Sequence, residues 1–130
     1  MIAFVTGGTG YLGRRVVRQL AVDGKRVRCL VRPSSNTSDL EAFVGPEAWH
    51  NVEIVRGDLM RPESYAAVLR GIDAVYHMAA GMTGGAASVF LNSVVASRSF
   101  ATACGEANVG RFVLVSSLGV YGAIDKGGTL

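Results

Sequence analysis

Five short hydrophobic runs recur along the chain, at Ile2–Thr6, Arg26–Val31, Val52–Val55, Ala74–His77 and Phe112–Ser116. They are rich in Val and Ile and largely continuous in hydrophobicity, as strands buried on both faces should be. Between them the period lengthens. Leu12, Val16 and Leu20 repeat every fourth residue, and Gly24 stops that helix. Pro62 and Glu63 open a second helix that reaches Leu69 and ends at Gly71. The longest helix covers roughly residues 86–107, with Phe90, Val94, Ser97, Ala101 and Cys104 forming one apolar or small-residue stripe. The stretch 32–51 is the least regular. Pro33 to Thr37 reads as a loop, Ser38 as a helix cap and Asp39–Phe43 as a short helix.

Strands alternating with helices predict right-handed crossovers and a parallel sheet. The expected architecture is α/β, a doubly wound parallel sheet with strand order 3-2-1-4-5, in one domain over residues 1–130. No internal repeat, low-complexity tract or interdomain linker interrupts it.

Composition agrees. Of 130 residues 49% are hydrophobic and 18% charged, enough for one real core, and 17 glycines suit many tight strand–helix turns. The net charge of +3 is scattered, with neither basic stripe nor aromatic platform, so a nucleic-acid partner is not expected. The small basic excess suits an anionic small ligand or, more simply, a solvated surface. Cys29 and Cys104 lie in apolar stretches without partners at metal-ligand spacing, so no metal is expected and buried free thiols in a reducing compartment are. Met1 runs directly into Ile-Ala-Phe-Val without a basic leader, and no apolar run approaches the ~20 residues that span a bilayer. The expected setting is the cytoplasm, away from any membrane.

The most informative stretch is Thr6-Gly7-Gly8-Thr9-Gly10-Tyr11-Leu12-Gly13. It follows an apolar strand and opens an amphipathic helix, the context a dinucleotide-binding fingerprint requires. Gly7 lets the strand turn sharply, Gly10 lets backbone approach a pyrophosphate with no Cβ in the way, and Gly13 lets the helix pack closely on the sheet. The helix N-terminus then offers amides and a positive dipole end to the phosphates.

The spacing Gly-x-x-Gly-x-x-Gly, with Thr6 before it, resembles the extended short-chain dehydrogenase/reductase family. That family includes sugar-nucleotide epimerases and dehydratases and dihydroflavonol-reductase-like enzymes. Further motifs carry the resemblance along the whole chain. Gly57-Asp58-Leu59 resembles the adenine-contacting Asp motif. His77-Met78-Ala79-Ala80 resembles the His-x-Ala-Ala segment whose backbone lies along the cofactor. Asn92 sits where the family has the Asn of its long fourth helix. Ser116 to Gly122 resembles the Ser-Ser-x-x-x-Tyr-Gly stretch ending the fifth strand, with its catalytic Ser at Ser117 and its Tyr at Tyr121. The resemblance thus implies a nicotinamide dinucleotide bound by Thr6, Gly7, Gly10, Tyr11, Leu12, Gly13, Asp58, Leu59, His77, Ala79, Ala80 and Ser116, with catalytic roles for Ser117 and Asn92. Taken singly these residues have plainer readings: Asp58 capping a turn, His77 as a satisfied strand-end histidine, Asn92 on a helix surface, Ser116 and Ser117 as strand-end hydroxyls.

In NAD-binding versions an acidic residue ends the second strand and accepts from the ribose 2′-hydroxyl. Here the strand ends in Arg32, with Ser34 and Ser35 following. A guanidinium beside hydroxyls suits a 2′-phosphate, and no carboxylate stands there to repel it. Arg14 and Arg15 would add positive charge. NADP is therefore expected, with NAD as the other choice, and a solvated Arg32 as the plainer reading.

The family's catalytic engine is a Tyr-x-x-x-Lys pair, whose Lys lowers the Tyr pKa for proton transfer. Four residues after the tyrosines stand Arg15, Leu69, Ala80 and Asp125, so the pair is absent, and Lys126 follows Tyr121 by five. The expectation is the cofactor portion of a longer enzyme whose substrate domain is absent. On its own it should be inactive; in the longer form it would take a small-molecule substrate and could form a homodimer through the fourth helix. A short cofactor-binding module or a non-catalytic NADP-sensing regulator is the alternative.

Overall fold

A computed structural model describes residues 1–81 and 84–117. Five parallel strands form one sheet in the order β3-β2-β1-β4-β5, the order expected from the alternation of elements. They are β1 (Ile2–Thr6), β2 (Arg26–Val31), β3 (Val52–Arg56), β4 (Ala74–His77) and β5 (Arg111–Leu114). β1 is central, with Ala3 opposite Val27 on one side and Ala74 on the other. Because strand side chains alternate, Phe4 and Val5 feed opposite faces. Phe4 joins Leu30, Val75 and Phe100 in one apolar cluster, and Val5 joins Val17, Val27 and Cys29 in the other. This two-sided burial is why β1 and β4 show no polar alternation, whereas the edge strands β3 and β5 are largely exposed and do not meet the expectation of burial on both faces.

Helix α1 (Tyr11–Val22) and the short α2 (Ser38–Val44) and α3 (Pro46–Trp49) cover the Val5 face. In α1 the buried residues are Gly13, Val17 and Ala21, one position on from the Leu12, Val16 and Leu20 stripe; Leu12 is 46% exposed. Small residues let the helix sit close to the sheet, so the larger aliphatics flank the contact instead of centring it. Thr37, not Ser38, precedes α2, and Asn36 Oδ1 accepts from the Ser38 N–H at 2.9 Å. The sequence pattern did not foresee α3, a single turn begun by Pro46.

The opposite face departs further from expectation. In place of one helix from Pro62 there are two 3₁₀ turns, Pro62–Ser64 and Ala66–Leu69. Tyr65 divides them at φ −139°, outside helical values, with its ring buried edge-on to Phe100 at 5.4 Å. The long helix forms, but as α4 (Ala86–Phe90), a π-helical turn (Leu91–Val95) and α5 (Ala96–Glu106) in continuous succession. The wider turn rotates what precedes it, so no single stripe survives. Phe90 and Val94 are 56% and 52% exposed, Ala101 is exposed too, and Ala96, Phe100, Ala103 and Cys104 form the buried face. β5 ends two residues before the predicted Ser116. Among the described residues no helix is long and apolar enough to cross a membrane.

Candidate dinucleotide site

In a doubly wound sheet, ligands lodge beyond the carboxyl ends of the strands, where the strand order reverses. Here that place lies between β1 and β4, and a cleft of about 730 Å³ opens there. A second hollow, of about 70 Å³ beside Ile2, Arg26 and Asn51, is at the other end of the strands and far too small for a dinucleotide.

The floor of the cleft is the glycine turn. β1 ends at Thr6, Gly7 takes φ +72°, and the Gly10 N–H donates to the Gly7 carbonyl at 3.0 Å. A Cβ on Gly7 would stand 2.7 Å from the Ala79 nitrogen and 2.8 Å from the Met78 carbonyl carbon. Its absence lets the exits of β1 and β4 come together. A Cβ on Gly10 would meet only the Gly7 oxygen, at 3.2 Å, so that side stays open for a ligand. Gly13 works differently from its expected part in helix–sheet packing: a Cβ there would run into the Gly7 carbonyl, so the helix packs on the turn itself. Gly8, which the sequence reading passed over, is buried, and a Cβ there would strike Cys29 Sγ. Tyr11, Leu12 and Gly13 form the first turn of α1, whose early amides have no intrahelical acceptors, and no acidic residue offsets the positive end of the dipole. This cradle of backbone amides, which side chains would fill, fits a pyrophosphate.

One wall is made by the ends of β2 and β3. Arg32, Ser35, Asp58 and Leu59 all line it. Asp58 also serves the plainer role, since its Oδ1 accepts from the Met60 N–H at 2.9 Å. Arg14 and Arg15 do not line the cleft; they stand over the rings of Phe43 (4.8 Å) and Tyr11 (3.8 Å), respectively.

The other wall is the exit of β4 and the long helix. Ala79, Ala80 and Asn92 line it. Asn92 lies in the π-helical turn, with its Nδ2 donating to the Ser88 carbonyl at 2.9 Å, and Gly81 lacks the Cβ that would crowd Asn92 Cβ at 2.7 Å. Ser93 grips both backbone groups of Gly81, at 3.0 and 3.2 Å. His77 does not reach the cleft. Its side chain is 1% exposed, held by Thr6 Oγ1 at 2.6 Å and Ser97 Oγ at 2.8 Å, and its ring lies 5.1 Å from that of Phe100. Ser116 and Ser117 follow β5, whose neighbour Val115 lines the cleft while they do not. Tyr121, Gly122 and Lys126 lie outside the described residues. Sequence reasoning missed Leu30, Val31, Gly81, Ser88, Ala96 and Val115, all of which line the cleft. Four of them adjoin recognised motifs at strand ends, and only helix phase would have found Ser88 and Ala96.

Burial pushes the Cys29 and Cys104 thiols up to about 12, so both are inert thiols of the core. No group of His, Cys, Asp and Glu residues that could hold a metal occurs among the described residues.

Comparison with known proteins decides the family. The model of the NAD(P)H-binding family matches residues 7–128, nearly the whole chain. The chain belongs to the NAD(P)H-binding family. Its solved neighbours are those of the extended dehydrogenase/reductase resemblance. This NAD(P)H-binding domain superposes on a UDP-glucose 4-epimerase from Stenotrophomonas maltophila with bound NAD, with a TM-score of 0.82 and 26% identity over 99% of this chain and 40% of that one. It superposes equally well, at 0.82 with 30% identity, on 43% of a dTDP-glucose 4,6-dehydratase double mutant from Streptomyces venezuelae with NAD bound, again with 99% of this chain covered. Among curated proteins it is 33% identical over 130 residues to sterol demethylase protein B of Methylococcus capsulatus, covering 98% of this chain and 38% of that protein. It is 36% identical over 123 residues to a ceramide reductase of Caulobacter vibrioides, covering 90% and 35%. The chain thus spans less than half the length of these relatives.

Proposed function

We propose that this domain binds NADP in preference to NAD and serves as the cofactor domain of an epimerase, dehydratase or reductase acting on a sugar nucleotide or a carbonyl or alcohol substrate. One observation supports the cofactor choice above others: β2 leads into Arg32, which lines the cleft with Ser35 and without a carboxylate at the strand end. The pyrophosphate would rest on Gly7, Gly10 and the first turn of α1. The adenosine would lie along Asp58 and Leu59, its 2′-phosphate toward Arg32 and Ser35, and the nicotinamide half along Ala79 and Ala80 toward Ser116. When bound, the nicotinamide supplies a hydride acceptor or donor. Asn92 and Ser117 are the residues of this chain proposed to face the reacting end, Ser117 donating to a substrate oxygen.

Residues 1–130 alone are proposed to bind without turnover, because no Tyr-x-x-x-Lys pair is present to move a proton. Two buried free thiols go with a reducing, cytoplasmic setting. The exposed Phe90, Leu91 and Val94 go with a homodimer through the long helix. Titration calorimetry of the chain with NADP and with NAD tests the central reading. Tighter binding of NADP is expected, and equal or reversed affinities would refute it.

A further inference from the structure

The turn after β2 is held from the neighbouring strand. The Ser35 N–H donates to the Arg32 carbonyl at 2.9 Å, which closes a turn over four residues. Arg32, Pro33 and Ser34 are all exposed, so no apolar anchor fixes that turn. Arg56, the last residue of β3, supplies the fixing. It sits opposite Val31 in the parallel register, and the next residue continues the ladder through Gly57 N–H to the Val31 carbonyl at 2.9 Å. From this anchored position one terminal guanidinium nitrogen of Arg56 donates to the carbonyls of Pro33 at 2.9 Å and Ser35 at 3.1 Å. Both hydrogens of that nitrogen are thereby spent on the backbone of the turn. Hydrogen bonds from an ionised donor are about twice as strong as neutral ones. The Arg32 side chain makes no hydrogen bond or ion pair with a described residue, so its placement depends on the backbone beneath it.

We propose that Arg56 is a positioning residue for the choice of dinucleotide: by clamping the Pro33 and Ser35 carbonyls it holds Arg32 and Ser35 in the cleft wall where a ribose 2′-phosphate would be gripped. The inference rests on the NADP reading above. Its physical content is pre-organisation, since a turn already ordered loses less entropy when the phosphate arrives. NAD has no 2′-phosphate and gains little from an ordered turn. Arg56 is exposed, so replacing it leaves the core untouched.

The test is calorimetric titration of the whole chain with NADP and with NAD, for the wild type, Arg56→Gln, Arg32→Gln and the double variant. Arg56→Gln is expected to weaken NADP binding ~10-fold and to leave NAD binding within about twofold. In the Arg32→Gln background the same change should move the NADP/NAD ratio less than about twofold, because the residue being positioned is gone. Arg56→Met, which keeps the aliphatic stem, is read in the same way. A ratio that responds to Arg32→Gln and not to Arg56→Gln overturns the role of Arg56 and leaves the NADP reading standing. A ratio that responds to neither overturns the NADP reading itself. Equal losses in both backgrounds would mean that Arg56 acts by its own charge, and equal losses for both dinucleotides would mean a general collapse of the turn; either result overturns the clamp.

Discussion

Thr6 Oγ1 lies 2.6 Å from His77 Nδ1, joining the carboxyl ends of β1 and β4 behind the glycine turn. The same hydroxyl oxygen receives the Ala79 N–H at 3.3 Å. On the other side of the ring Nε2 lies 2.8 Å from Ser97 Oγ, so both ring nitrogens are engaged. A neutral histidine is built into the fold, and one backbone amide of the cleft hangs on it.

Burial pushes the His77 pKa below its ordinary 6.5. The unfolded chain therefore binds more protons than the folded one between the two values, and stability rises with pH there. The contribution is complete above about pH 6.5 and is lost as the pH falls below it toward the folded value. Urea titrations of the wild type between about pH 7.5 and pH 5 should show this decline. His77→Gln should flatten it, while destabilising the protein by about 1–3 kcal/mol through the loss of a buried partner for Thr6 and Ser97. An unchanged slope in the variant would place the proton uptake elsewhere.

The glycines separate fold from binding. Gly10→Val puts its side chain on the open side of the turn, so the chain should fold and lose dinucleotide binding. Gly13→Val meets the Gly7 carbonyl and should unfold or strongly destabilise the domain, as overpacking does by roughly 1–3 kcal/mol or more. Circular dichroism with calorimetry tells the two apart. Unchanged affinity in a folded Gly10→Val variant would remove the pyrophosphate from this turn.

Arg32→Asp should reverse the cofactor preference. Hydrogen bonds to charged groups are worth roughly 1.5–3 kcal/mol, so the NADP/NAD affinity ratio should fall by about 10- to 100-fold or more. A variant that keeps its ratio would return Arg32 to the status of a solvated loop residue.

Residues 1–130 should bind dinucleotide without consuming it. Nicotinamide absorbance followed with sugar-nucleotide and carbonyl substrates should stay flat, since a positioned acid–base group contributes ~10²–10⁴-fold in rate and His77, sealed away with both nitrogens engaged, is no such group. Steady turnover would assign the proton transfer to a side chain that this domain already carries.

What the sequence made legible was whatever rests on burial alone. A strand covered on both faces needs unbroken hydrophobicity, so four of the five strands begin at the predicted residue and the strand order follows from their alternation with helices. The glycine turn was legible because its spacing answers to local backbone geometry. Helix faces were not, because tertiary neighbours set them: Gly13 and Ala21 are buried for their smallness, and a π-helical turn displaces Phe90 and Val94. The 3₁₀ pair was hidden because Tyr65 leaves helical geometry to reach Phe100, a partner 35 positions away. Arg56 was invisible for a like reason, its acceptors being carbonyls of another strand's turn.

The parallel pairing has a kinetic corollary. Among the described residues every strand is joined to its neighbour by a crossover and none by a hairpin, and β1 meets β4 only through pairs such as Ala3 with Ala74. A chain leaving the ribosome therefore carries its most buried strand, Ile2–Thr6, with one edge unpaired until residues 74–77 have been made. Over that interval Ala3, Phe4 and Val5 are the segment most exposed to mispairing, and the speed of synthesis through β4 sets how long the exposure lasts.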